Sequence, residues 1–197
     1  MSAPYPAITR LRVAAPLREW GELQSALTDV LMELEYFAGL RIAAERAYAQ
    51  LAAFEAHNAG ATWARQLLVS LVSFGMAPAE LPAEAGAQHN GAGASNYVLS
   101  LLELARSAER KTPLENRIRF LANALANLML ADLAAAWYGA NPQAWAEQHT
   151  RGAEIDPDSG LTIRQVIYTR FWLDDATATR DTAAWLALTD QIERTLD

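Results

Sequence analysis

His57, His89 and His149 are the first residues to weigh for chemistry, because an imidazole can ligate a metal or carry a proton near neutral pH. Either task needs a partner on the same face. The nearest acids, Glu55 and Glu147, stand two residues before His57 and His149, a spacing that puts side chains on different faces of a helix. No Glu-x-x-His pair of the kind found in di-iron bundles occurs. The histidines therefore read as structural or solvent-facing, with His89 set apart by its place in a long loop. Glu33 and Glu35 diverge for the same reason of spacing and read as a solvated face.

Other short patterns fail on a required residue. Asp156 and Asp158 before Gly160 open like a calcium loop, but Gly160 holds a ligand position and Ile167 stands where a bidentate Glu is needed, leaving a turn. Gly86 and Gly91 have the spacing of a phosphate-binding loop, yet Ala92 replaces the lysine and residues 62–74 before them read as a helix. There is no nucleophile elbow, and a chain without cysteine has no disulfides, thiolate zinc sites, iron–sulfur clusters or thiol nucleophiles. No catalytic residue, cofactor or metal ligand set is expected, and enzymatic activity has no support at this level.

Charge narrows the partners. Sixteen basic against 23 acidic residues leave a formal charge of −7, which disfavours a nucleic-acid binder. A local patch remains open: Arg106, Arg110, Lys111, Arg117 and Arg119 flank two predicted helix ends and would face phosphate if those ends converge. Glu103, Glu109 and Glu115 lie among them, so a salt-bridged surface is the alternative. The chain has 197 residues, 52% of them hydrophobic and 20% charged, enough for a core without covalent staples.

The elements that must position these groups are mainly helical. We expect a single domain over 1–197, an antiparallel bundle of six to seven helices. Residues 1–15 form a short extended segment and residues 76–94 a flexible Ala/Gly/Pro-rich loop. One helix is expected from Pro16 to about His57, with a heptad seam through Trp20, Leu23, Leu27, Val30, Leu34, Phe37, Arg41, Ala44, Tyr48 and Leu51. Gly39 marks a bend or a close helix approach. Residues 62–74 are apolar nearly all round, which predicts a central buried helix. Ser95 is placed to cap the next helix. Thr112 to Glu115 reads as a capping box for a second long helix, with a seam through Leu114, Ile118, Leu121, Leu125, Leu128, Asp132 and Ala135. Asn141 and Pro142 start a short helix. Residues 161–173 fit a helix capped by Thr162 and Gln165, or a strand; the last helix covers about 181–196.

Arg41 and Asp132 each interrupt a seam, so they are expected to meet or to find other partners, as a register or partner-specificity device. The alternative has Arg41 reaching solvent or Glu45 and Asp132 facing water. Of six tryptophans, Trp20, Trp63 and Trp185 fall on core stripes, while Trp137, Trp145 and Trp172 are candidates for edges or interfaces. The leading expectation is a non-catalytic helical interaction or scaffold subunit, self-associating or part of a larger bacterial complex. A nucleic-acid-associated subunit using the basic patch is the second. A bundle binding a small ligand between its helices, gated by the 76–94 loop, or an enzyme not visible in motifs, is the third. Residues 1–13 lack a secretory apolar run, which sets a cytoplasmic expectation. The apolar window over 120–138 contains Asn123, Asn127 and Asp132 and reads as a buried helix, not a membrane span.

Overall fold

The computed structural model describes residues 5–78 and 80–196. Pro6 pre-sets the first helical turn, and α1 (Pro6–Ala14) buries Ala7, Ile8, Leu11 and Ala14 on one face. The extended reading of residues 1–15 is thus corrected for its described part, and residues 1–4 lie outside the described residues. Ile8, Leu11 and the alanines recur at helical spacing, while Val13 is exposed.

A 3-10 turn (Ala15–Leu17) leads to Arg18, whose φ of 56° turns the chain into α2 (Trp20–Glu33). The single helix expected from Pro16 to His57 is two helices. Leu34 and Glu35 are extended, and α3 (Tyr36–His57) starts afresh. Leu34 and Tyr36 are both buried, and residues two apart share a face only where the backbone is extended. Tyr36 then donates its hydroxyl to the Ser107 carbonyl at 2.6 Å. Gly39 is the close approach and not the bend: a β-carbon there would meet a Leu121 methyl at 3.0 Å.

α4 (Thr62–Phe74) packs on α3 and on α5 (Ala94–Ser107), at the edge of the fold. The central position expected of it is therefore corrected. Trp63, Ala64, Leu67, Leu68 and Leu71 face inward, while Val69, Val72 and Phe74 are 48%, 53% and 70% exposed. Between α4 and α5 the loop includes a 3-10 turn (Ala83–Gly86) that buries Ala85. Gly93, at φ +78°, precedes α5 in the position expected of Ser95.

α6 (Leu114–Ala140) stands at the centre, packed against α2, α3, α5, α7 (Pro142–Arg151) and α9 (Asp175–Leu196). By length and composition it could cross a bilayer, and 56% of its most apolar stretch is buried inside this fold. The Thr112 capping box does not form. The helix starts one residue later than expected, Pro113 takes the cap position, and the Thr112 hydroxyl donates to Glu109. The second box is present on both arms: Gln165 N–H donates to Thr162 Oγ1 at 3.2 Å, and Thr162 N–H to Gln165 Oε1 at 2.9 Å. It starts α8 (Ile163–Leu173), so the segment is helix from Ile163 onward, with Thr162 extended as its cap.

The described residues thus hold nine α-helices and no strand, beyond one isolated bridge between Ile155 and Thr162. One core cluster spans α1 to α6 and α9, with Trp185, Leu188 and Ile192 fully buried from the last helix. A smaller cluster joins Leu133 and Trp137 of α6 to Ala144 of α7 and Ile163, Ile167 and Phe171 of α8. Surface arginines bind the layers. Arg10 reaches Glu22 on α2, Arg12 reaches Glu193 on α9, and both glutamates are held below their ordinary carboxylate range chiefly by those hydrogen bonds. One ion pair lies inside: Arg18 Nε donates to Asp181 at 3.1 Å, with Asp181 3% exposed.

Candidate functional site

A groove opens where two long helices carry small residues. On α6, Ala131, Ala134 and Ala135 leave space beside Tyr138, and on α3 Ala49 and Ala53 do the same beside Phe54 and His57. The walls are completed by residues 88–96, by Trp145 and His149 of α7, and by a stripe on α8. That stripe, Arg164, Tyr168, Phe171 and Trp172, follows helical spacing, so one face of α8 turns toward the groove. Two lobes of about 700 and 630 Å³ share Tyr138, Trp145, His149 and His89.

The loop wall is tied down by specific contacts. Asn58 Nδ2 donates to the Asn90 carbonyl, and the Asn90 N–H donates to Asn58 Oδ1, each at 2.8 Å. His89 lies against Phe54 with ring centroids 5.4 Å apart and reaches Trp63 at 6.0 Å. Gly93 presses on α6: a β-carbon there would overlap the Ala131 carbonyl oxygen and stand 3.0 Å from the carbonyl carbon. Only glycine permits both that approach and a φ of +78°.

The floor is aromatic. Trp145 meets Tyr138 edge-to-face at 5.0 Å and His149 at 4.0 Å, while Trp172 meets Tyr168 at 5.9 Å. The Tyr138 hydroxyl donates to Gln148. Burial pushes the Tyr138 phenol above its ordinary value, with Gln148 and the Arg164 charge acting against that shift. Among the described residues, no group of three potential ligands could hold a metal ion. The arrangement offers flat apolar surfaces with a few polar groups around them, as binding pockets do.

The singled-out residues are dispersed. Arg41 is exposed and pairs with Glu45 at 3.8 Å, whereas Asp132 pairs with Arg180 of α9 at 3.1 Å, so the two seam charges do not meet. Trp137 is only 6% exposed and packs on Phe171 at 5.6 Å, which makes it core; Trp145 is half-buried in the groove. In the basic cluster, Arg106 pairs with Glu103 and Arg119 with Glu115. Arg117 donates to the Ser107 carbonyl at 2.7 Å and lies 4.0 Å from the Tyr36 ring centre. Arg110 and Lys111 are exposed.

All three histidines line the groove, and sequence reasoning did not bring them together. One signal was available for His149, which sits four residues after Trp145 on the same helix face. His57 and His89 are joined only by the return of the loop over α3. Compared with known protein families, with curated proteins and with solved structures, the chain matches none.

Proposed function

We propose that this chain is a non-catalytic helical binding protein whose groove takes a small ligand. The observation that carries this reading is the convergence of Phe54, Tyr138, Trp145 and Trp172, from four helices, on one groove of ligand size. Part of each seam packs inside the fold, while Phe37, Tyr48 and Leu114 are exposed. Leu23, Leu27, Val30 and Leu34, and Ile118, Leu121, Leu125 and Leu128, are all buried. A ligand present at about 100 times its Kd adds roughly 2.7 kcal/mol to stability. A thermal-shift screen of small aromatic and polar compounds is expected to yield hits that raise the melting temperature of the wild type and not of Trp145→Ala. A screen without hits, or hits that stabilise both proteins equally, overturns the reading.

A second reading keeps the interaction subunit, through seam residue Phe37 together with the outer face of α4. Phe37, Val69, Val72, Phe74 and Met76 are exposed, and the Phe37 ring lies against Gly75 at the end of α4. Exposed apolar clusters of this kind mark association sites. Light-scattering mass on a size-exclusion column checks it. The reading requires an oligomer that Val72→Glu converts to monomer, and a wild-type monomer at high concentration removes it for self-association.

A further inference from the structure

Ionised groups are scarce in the groove, and their pairing is unequal. Asp132 and Arg164 are the two that line it among the described residues, one in each lobe. The carboxylate of Asp132 is answered by Arg180 at 3.1 Å, from outside the lining. Arg164 makes no ion pair among the described residues, and it lines the same lobe as Tyr138. The one uncommitted charge in the groove lining is therefore positive, on a chain of net charge −7. A cationic ligand would find no uncommitted carboxylate there. An anion would find a guanidinium, with the Gln148 and Asn96 amides in the same lobe, the latter already donating to Asn127.

The remaining lining selects for shape. Trp145 and Tyr138 line both lobes and Trp172 lines the lobe of Arg164, and flat π systems gain from offset or edge contacts with such walls. Resting on the ligand-binding reading above, we propose that the groove selects a planar aromatic anion, its ring against Trp145 and Tyr138 and its carboxylate, sulfonate or phosphate at Arg164. The ring supplies most of the binding, because the Arg164 contact is open to water and is weakened by that exposure.

Two fluorescent probes of similar aromatic body separate the two parts: anilinonaphthalene sulfonate, which is anionic, and phenylnaphthylamine, which is uncharged. Arg164→Gln is expected to weaken the sulfonate dye by roughly fivefold to tenfold and to leave the uncharged dye within about twofold. Trp145→Ala weakens both dyes, and Arg164→Lys recovers part of the sulfonate affinity. If Arg164→Gln changes neither dye while Trp145→Ala weakens both, the anion preference is wrong and the ligand-binding reading stands. If neither dye responds to Trp145→Ala, the ligand-binding reading fails with it. Loss of dye binding in Phe74→Ser, with Trp145→Ala unaffected, places the dyes on the exposed face of α4 and likewise overturns the proposal.

Discussion

Replacing Arg18 by leucine is expected to lower stability by about 3 kcal/mol at neutral pH, because it leaves the Asp181 carboxylate buried without its counter-charge. For a chain of this size that loss lowers the melting temperature by roughly 6–12 °C. Arg18 also donates to the Trp172 carbonyl at 3.2 Å and stacks over that ring at 5.4 Å, so it joins the start of α2 to α8 and α9 together. The pH dependence identifies the cause. Burial pushes the Asp181 carboxyl above its ordinary value, and the Arg18 hydrogen bond and charge pull it down. A carboxyl raised by folding favours the fold when protonated, and that contribution is lost as pH rises through its folded value. Removing Arg18 raises Asp181 further. The deficit relative to wild type is therefore expected in full at neutral pH and should shrink toward the ordinary Asp value of 3.8.

The double variant Arg18→Leu with Asp181→Leu recovers to within about 1 kcal/mol of wild type, since apolar residues of similar volume commonly replace a buried pair without loss. Urea unfolding at several pH values measures all three proteins. A deficit that does not depend on pH, or a double variant no better than Arg18→Leu, would show that Arg18 acts by packing alone.

The second large effect belongs to Gly93. Gly93→Ala introduces a β-carbon into the Ala131 carbonyl and forces a side chain into the left-handed region, a strain of about 1–3 kcal/mol before any overlap is relieved. The overlap is with backbone on α6, so it is relieved by lifting residues 91–93 and with them one wall of the groove. Stability is expected to fall by at least about 2 kcal/mol, and both dyes lose affinity even under conditions where the protein stays folded. Gly86→Ala is the matched control in the same loop. It meets nothing within 4 Å and has no positive φ, so it should be neutral or add up to about 1 kcal/mol by restricting the unfolded chain. Equal behaviour of the two variants would sink the account of the loop.

Helix content, the apolar stripes of α2 and α6, the Thr162 capping box, the Pro142 start and the inward face of α9 were all legible as local patterns. Each depends on residues within one or two turns, where capping and periodicity act. The same locality explains the misplaced boundaries. Nothing between Glu33 and Glu35 signals a break, and the helix divides there because both Leu34 and Tyr36 find burial only in an extended step. Likewise, an apolar composition made α4 look central, whereas its neighbours cover only one side of it.

The site was legible in fragments. Asp132 stands out as a charge in a seam, Trp145 and Trp172 as candidate interface tryptophans and His89 by its loop, while Tyr138 and Arg164 carry no pattern that ties them to those residues. The sequence by itself determined which segments are helical and which side of most of them is apolar, because those properties are encoded within a few residues. Only the tertiary structure decided that α3, α6, α7, α8 and the loop after α4 converge. Their alanines leave a groove there, and that gap depends on contacts between residues far apart in the chain.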